Sequence, residues 1–360
     1  MAKLENSAAP SSGCYGAMAN RPLVSVVTPF FNTAPYLVEC IESVLAQSYS
    51  QFEYILMDNC STDGSSEIAA TYASRDPRIR LIRCSKFLPQ LANYNRALTE
   101  ISDASTYCKI VQADDYIFPD CLQLMVRAFE QSESIGLVSS YWLDGTELWG
   151  SGLPRQTTML PGKEFGRRLL RGTSLLGTQT QVMYRASLVR HHEAFYSVSF
   201  PFADLQKHME ILAHSDFGFV HQVLSFSRRD NVSILRSLQS FGPSLLVRYT
   251  FSQRYAPIFF EAGEAASIIA KCKREYYRHL ARAALGVRGR EFWQFHKNGL
   301  KALNETLDWT YLAMLIGPEL LWLMSNPGIA MVRALRSLKR RTWSEKEQKA
   351  PRPKPRITCS

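Results

Sequence analysis

The sequence predicts an α/β fold: a mostly parallel, Rossmann-like sheet flanked by helices, followed by a C-terminal helical region. Three observations carry it. Short apolar runs at residues 23–29, 52–57, 79–83 and 110–116 alternate with stretches whose apolar residues recur at helical spacing, and this β-α-β-α-β-α-β order implies parallel strands joined by right-handed crossovers. The second run ends at Asp58 and the fourth at Asp114 and Asp115, so acids stand where the strands of such a sheet stop. From about residue 244 to 340 the pattern is largely helical.

Residues 23–29 (Leu-Val-Ser-Val-Val-Thr-Pro) are bounded by Pro22 and Pro29 and suit a strand buried on both faces. Residues 30–33 read as a loop, and 36–46 as a helix with Leu37, Ile41, Val44 and Leu45 on one side. The strand at 52–57 leads into Asp-Asn-Cys-Ser-Thr-Asp-Gly at 58–64, where Ser61, Thr62 and Asp63 are capping residues for a helix over about 65–73. Pro77 precedes the strand at 79–83, and a helix from about 90 to 101 leads to the strand carrying Asp114 and Asp115. An Asp-Asp turn ahead of Pro119 is the other reading of that pair. Further on, a Gly- and Thr-bearing loop at 175–185 runs into a short apolar strand, and Asp204 opens a helix as its N-cap ahead of residues 216–220.

Two adjacent carboxylates are costly to hold ionised unless a cation neutralises them, so Asp114 and Asp115 point to a divalent metal. Asp58 and Asp115 share one rim of the predicted sheet. Such a rim favours nucleotides, because helix N-termini offer unpaired N–H groups and a strand-end carboxylate accepts from a base or ribose. The chain has neither G-x-G-x-x-G nor G-x-x-x-x-G-K-[ST], which argues against a dinucleotide fold and a P-loop.

Residues 24–32 (Val-Ser-Val-Val-Thr-Pro-Phe-Phe-Asn), 56–65 (Leu-Met-Asp-Asn-Cys-Ser-Thr-Asp-Gly-Ser) and 111–119 (Val-Gln-Ala-Asp-Asp-Tyr-Ile-Phe-Pro) resemble, in order and spacing, the three motifs of family 2 glycosyltransferases. The likeness covers about residues 22 to 235. It implies the GT-A fold and a nucleotide-activated sugar as donor, a UDP-sugar foremost. It also implies that Thr28, Pro29 and Phe30 form the wall and floor of the nucleobase pocket, and that Asp58 reads the base edge. Asn59 stands where the family usually has a second acid, and Cys60 where it usually has Gly. Asp63 closes that loop, as a cap or as a ligand contact.

By the same resemblance Asn95 and Arg96 lie near the diphosphate. Asp114 belongs to the nucleotide site, and Asp115 touches the cation, Mg²⁺ or Mn²⁺. Gln112 replaces the Asp with which many members begin this motif. Asp204 holds the position of the general base, and the hydroxyls of residues 175–185 belong to the acceptor side. Arg228 and Arg229 match the Arg segment that ends the catalytic domain, and adjacent loop residues cannot be told apart by sequence. His208 reads as a satisfied histidine. The function implied is inverting transfer of a sugar to a hydroxyl of a carbohydrate or lipid-linked acceptor, in cell-surface polysaccharide or glycan assembly. The alternative is a GT-A-like module that binds nucleotide or serves as a scaffold without transferring, for which Gln112, Asn59 and Cys60 are the signs. A nucleotidyltransferase would carry a basic, Gly-rich loop after the first strand, and residues 30–33 (Phe-Phe-Asn-Thr) are not one.

With 360 residues, 46% hydrophobic, the chain can bury one large core and a helical appendage. The expected division is a disordered tail at 1–20, a GT-A domain at 21–240 (nucleotide half about 21–120, acceptor half about 121–240), a helical region at 241–340 and a basic disordered tail at 341–360. Residues 1–20 lack an apolar core of the kind a signal peptide has. The eight cysteines are scattered without a C-x-x-C pair, which suits a reducing cytoplasm. Of the net charge of +10, residues 333–356 supply +8, ten Lys and Arg against two Glu. The remainder is near neutral and shows no basic face with interleaved aromatics, so nucleic acid is not an expected partner.

Residues 309–324 form the most apolar piece, too short to span a membrane and interrupted by Gly317 and Pro318. Two readings stay open for this region: helices packed on the core or on a second subunit, or an interfacial hairpin on the inner membrane leaflet beside the basic run.

Overall fold

The computed structural model describes residues 21–326 and 328, except 174, 191–193, 199–201, 230–240, 287 and 302. The expectations for residues 1–20 and for the basic tail lie outside the described residues. The first half follows the predicted order: β1 (Leu23–Phe30), α1 (Ala34–Leu45), β2 (Phe52–Asp58), α2 (Ser65–Ala73), β3 (Ile79–Arg83), α3 (Gln90–Leu98) and β4 (Ser105–Ile110). These four strands are parallel, in spatial order β3-β2-β1-β4.

The fourth strand stops earlier than expected. Its ladder ends where the Val111 N–H donates to Val27 O at 3.0 Å, and the chain then turns, the Asp115 N–H donating to Gln112 O at 2.9 Å. Asp114 and Asp115 therefore sit on a turn beyond the sheet edge, where ionised side chains can find partners that a packed strand denies them.

The second half adds β5 (Tyr116–Ile117), α4 (Cys121–Phe129), β6 (Ile135–Asp144), β7 (Glu147–Trp149), β8 (Met159–Leu160), α5 (Gly162–Leu170), a 3₁₀ turn (Gln179–Gln181), β9 (Val182–Arg185), α6 (Ala186–Arg190), α7 (Ala203–Leu212) and β10 (Asp216–Ser227). The described strands make one ten-stranded sheet, β3-β2-β1-β4-β9-β6-β10-β5, with β7 on β6 and β8 on β10. β6 and β10 run parallel to each other, and β9 lies antiparallel between β4 and β6. Because β9 runs the other way, its start, and the 3₁₀ turn before it, falls at the rim where β1, β2 and β4 end. That inversion positions the site.

Both sheet faces are covered. Val24, Val26, Tyr54 and Leu56 face a cluster with Leu37, Ile41, Met125 and Phe129, while Val27, Ile55 and Ile110 face one with Tyr184, Phe217 and α3. Among the described residues four C-terminal helices follow: α8 (Pro243–Phe259), α9 (Ala262–Leu285), α10 (Arg290–Lys301) and α11 (Trp309–Met324). α8 joins the second cluster through Phe251, Tyr255 and Phe259. Gly166 of α5 meets Phe259 so closely that a Cβ there would lie 2.3 Å from the ring, and only glycine permits the approach.

α9 to α11 build a separate core from Tyr276, Tyr277, Leu280, Phe292, Leu300 and Leu312. α11 is not interrupted at Gly317 and Pro318, since the helix runs through both. One proline forfeits a single backbone hydrogen bond, and packing against α9 outweighs it. No described helix is long and apolar enough to cross a membrane.

Candidate active site

Asp115 is the most tightly held group on the rim. Its Oδ2 accepts from Thr180 Oγ1 at 2.7 Å and Ser227 Oγ at 3.2 Å, and its Oδ1 from the Arg228 N–H at 3.1 Å. It is 4% exposed. Burial pushes its carboxyl up to about 7, the neighbouring charge of Asp114 adds to the rise, and the three hydrogen bonds oppose it. Asp114 is partly exposed, while its carbonyl accepts from Arg228 Nε at 3.1 Å. The hydroxyl of Thr180, expected to meet a sugar, is spent on Asp115.

Beneath this turn lies Lys109, fully buried on β4 with Nζ donating to Thr180 O and, at 3.2 Å, to Val182 O. Burial lowers its pKa. It ties β4 to the start of β9 and so holds Thr180 against Asp115. Gln112 makes a similar tie: its Oε1 accepts from Thr178 Oγ1 at 2.8 Å and its Nε2 donates to Tyr94 OH at 3.4 Å. An amide donates and accepts at once, which the carboxylate usual at this position does not.

The side expected to hold the nucleotide is a set of stitched loops. Asp58, paired with Phe30 at the ends of β2 and β1, is 3% exposed and accepts from the Ser61 N–H at 2.9 Å. Asn59 clamps the loop after β3, donating to Leu88 O at 2.8 Å and accepting from the Leu88 N–H at 2.9 Å. Asp63 accepts from the Ala34 N–H at 3.0 Å and from Ser65, joining the loop after β1 to the start of α2. Asn32 does the same through Ser61 and Thr62. Cys60, where glycine was expected, adopts φ +65°, the left-handed conformation that glycine tolerates best.

Of the residues expected to wall the base pocket, Thr28 is fully buried with its hydroxyl 3.0 Å from Tyr54 OH, Pro29 is buried in β1, and Phe30 is core at 2% exposure. The accessible rings are Phe31 and Phe87, 42% and 58% exposed and in edge-to-face contact with centroids 4.8 Å apart. Sequence reading missed both. The strand alternation that buries Phe30 was the available signal for Phe31.

The side expected to hold the acceptor centres on α7. Asp204 is not its N-cap: Phe202 holds that place, and Asp204 lies in the first turn. Its Oδ1 accepts from the Leu205 N–H at 2.8 Å. It keeps some solvent contact although protein surrounds its carboxyl on nearly all sides, and burial raises its pKa against the pull of the local backbone N–H groups. His208, one turn on, is a core residue: its Nε2 lies 2.8 Å from Tyr184 OH, and its Nδ1 has no partner among the described residues.

Tyr94 lies within electrostatic reach of three of the acids. Its phenol is raised first by burial, is lowered by the Gln112 hydrogen bond, and is raised again by the charges of Asp114, Asp115 and Asp204 together. The three carboxylates share one neighbourhood, and Asp58 leaves the same edge with only β1 between β2 and β4.

Asn95 and Arg96 already have other partners. Asn95 brackets Tyr196, accepting from its N–H at 2.7 Å and donating to its O at 2.8 Å, and Arg96 pairs with Glu100 and donates to Thr99 Oγ1 at 2.8 Å. The two arginines after β10 part company. Arg228 lies over the Tyr36 ring at 4.8 Å and pairs with Glu39, beside the aspartates. Arg229 turns to Asp144 at 2.7 Å and Glu147 at 3.0 Å.

Among the described residues no three His, Cys, Asp or Glu side chains form a ready-made ion cage. Two adjacent acids, one saturated by protein and one partly exposed, suit a cation that brings most of its ligands with it as diphosphate oxygens and water. The donor set therefore fits Mg²⁺ or Mn²⁺ in a nucleotide complex.

Residues 25–192 match the family model described as glycosyl transferase family 2. Among curated proteins, the uncharacterized glycosyltransferase EpsJ of Bacillus subtilis is 39% identical over 114 residues, 31% of this chain and 32% of EpsJ. The putative glycosyltransferase EpsE of the same organism is 32% identical over 183 residues, 50% of this chain and 63% of EpsE. The putative teichuronic acid biosynthesis glycosyltransferase TuaG, also from Bacillus subtilis, is 31% identical over 131 residues, 36% of this chain and 51% of TuaG. The chain thus spans less than two thirds of these relatives' lengths.

Among solved structures, S. aureus TarS 1–349 with UDP-GlcNAc superposes with a TM-score of 0.58 at 15% identity, covering 88% of this chain and 89% of that one. Mannosyltransferase PcManGT from Pyrobaculum calidifontis with GDP-Man and Mn²⁺ gives 0.51 at 14% identity, covering 91% and 88%. At these identities the likeness is one of fold: the sheet and its flanking helices are of the GT-A type.

Proposed function

We propose, since residues 25–192 match the model of glycosyl transferase family 2, that the protein moves a sugar from a nucleotide diphosphate donor to a hydroxyl of a carbohydrate or lipid-linked acceptor. The observation that carries the reading is that Tyr94 feels the charges of Asp114, Asp115 and Asp204 together, at the sheet rim from which Asp58 also leaves. A UDP-sugar is the donor class we favour. Asp58 offers a carboxylate to the N–H of a base edge, and Phe31 with Phe87 offers rings for the base to stack on. The TarS complex with UDP-GlcNAc supports this choice, and the PcManGT complex with GDP-Man is the competing precedent.

Asp114, more accessible than its neighbour, would hold Mg²⁺ or Mn²⁺, while Asp115, bonded to Thr180, Ser227 and Arg228, fixes the turn that presents it. A bound cation supplies Lewis-acid stabilisation of the charge on the departing diphosphate. Arg228, stacked on Tyr36 beside the same turn, adds fixed positive charge. Asp204 takes the proton of the acceptor hydroxyl, and its raised pKa makes it a stronger base than an ordinary carboxylate. Attack from the face opposite the diphosphate inverts the anomeric carbon, so an α-linked donor yields a β-linked product.

We place the reaction in polysaccharide or glycan assembly, with kinship to TuaG as the support. A cytoplasmic setting fits the six described cysteines, all free thiols.

A second reading, a GT-A-like module that binds nucleotide without transfer, draws on Gln112 and Asn59, whose amides serve loop contacts here. Measuring donor hydrolysis and transfer across a panel of nucleotide sugars, with Mn²⁺ and then with EDTA, separates the two. Turnover lost in EDTA and in Asp204→Asn supports transfer. UDP binding with no turnover for any donor and acceptor leaves the binding module.

A further inference from the structure

We propose that the outward face of α11 docks on the surface of an anionic membrane. This helix is built inside out for an aqueous setting. Its 16 residues hold one charged side chain, Glu319. That carboxylate is 4% exposed, accepts from Arg282 Nε and Nη2 at 2.8 and 3.0 Å, and lies 3.5 Å from Arg278 Nε. Meanwhile Trp309, Met314, Leu320, Leu321, Trp322 and Met324 are between 41% and 71% exposed. A helix facing water puts its polar residues outside and its apolar residues against the core. Here the one charge is inside and, although Leu312 packs in the core, six large apolar side chains are outside, which marks a surface that another apolar phase covers.

Charge says what that phase is. Arg278 and Arg282 have side chains 53% and 48% exposed and share a single carboxylate, so the pair remains net positive. At the other end of the helix Lys297 Nζ lies 5.9 Å from the Trp309 ring. Nine residues after Met324 the sequence begins its run of ten Lys and Arg against two Glu, at 333–356. An apolar face bordered by positive charge matches acyl chains beneath anionic headgroups. Tryptophans near both ends, Trp309 and Trp322, are the side chains that settle at such an interface. A second copy of the chain would set like charge against like, which disfavours it as the occupant. At about 24 Å the helix is shorter than the roughly 30 Å hydrocarbon layer, so it lies along the surface. None of this depends on sugar transfer.

The test floats the full-length protein with vesicles of phosphatidylcholine, with and without phosphatidylglycerol, at low and high salt. We expect about tenfold or more binding to the anionic vesicles, weakened by salt, and at least about a tenfold loss in the double variant Met314→Glu, Leu321→Glu. If that variant does not fold, quenching of wild-type tryptophan fluorescence by brominated lipid replaces it, and strong quenching is expected. Wild-type protein that ignores both vesicle types, a folded double variant that binds as well as wild type, or absent quenching overturns the proposal. So does a lipid-free dimer that the double variant dissociates, which would make the face a contact between copies.

Discussion

The loops at the ends of β1 to β4 are stitched by hydrogen bonds between distant residues, whereas Asp204 sits among buried rings. Asn59 grips Leu88, Asp63 grips Ala34 and Ser65, and Asp115 is fixed from three directions. Asp204 takes its hydrogen bonds from the local backbone, and its remaining surroundings include Tyr94, Tyr184 and Tyr196, each of which feels its charge. Burial raises both carboxyls, that of Asp115 to about 7 against its three hydrogen bonds and that of Asp204 against its local backbone N–H groups. What differs is where the bonds come from: Thr180, Ser227 and Arg228 tie distant segments to Asp115, whereas Asp204 is bonded within its own turn.

The largest effect that would break this comparison is on turnover. Asp204→Asn should lower kcat by roughly 10²–10⁴-fold while UDP affinity, read by calorimetry, stays the same. A matching loss of UDP affinity would show that Asp204 serves the donor. In the wild type the acidic limb of the rate profile should lie above the ordinary carboxylate range, because the raised pKa of Asp204 means its base form is lost earlier as pH falls.

Next in size is the contrast between the adjacent aspartates. Asp114→Asn should weaken Mn²⁺-dependent UDP binding by about 10–100-fold with little change in stability. Asp115→Asn should act on stability and on its pH dependence. With a folded pKa of about 7, above its unfolded value, Asp115 contributes stability that is complete below the unfolded pKa and is lost as pH rises through about 7. The metal-free wild type should therefore lose up to a few kcal/mol between about pH 4 and pH 8 relative to Asp115→Asn, as measured by urea unfolding. Parallel curves for the two proteins would mean that the carboxyl is not desolvated as described.

Smaller again, Asn59→Ala leaves both Leu88 backbone groups unpaired and should cost about 1–3 kcal/mol in urea, with weaker UDP binding as the loop loosens. The smallest change expected is a gain. Cys60→Gly relieves a left-handed conformation and should add up to about 1 kcal/mol, offset by the lost contact of its thiol with Cys84 O at 3.2 Å. A fall in Tm would mean that the thiol contributes more than the backbone strain costs.

Much of the nucleotide half was legible because its signals are local. The spans of α2 and β3 agree with the predicted ones, since capping residues and Pro77 punctuate them. Gly317 and Pro318 misled for the same reason: punctuation is a local preference, and packing of α11 on α9 overrode it. The burial of Lys109 was foreseeable, because it stands between Cys108 and Ile110 in an apolar run. Phe31 and Phe87, 56 residues apart, meet only when the sheet brings their loops together, so no spacing rule pairs them.

By itself the sequence determined the parallel α/β order, the strand-end acids, and the match of residues 25–192 to the glycosyl transferase family 2 model, since periodicity and motif spacing are written along the chain. Only the tertiary structure decided that Asp115 is buried among donors while Asp114 is partly exposed. It seated Thr180 and Arg228 on Asp115, separated Arg228 from Arg229, and turned Glu319 inward. Hydrogen bonding and burial depend on neighbours distant in the chain, and the antiparallel placement of β9 that creates those neighbours leaves no local mark on the residues it serves.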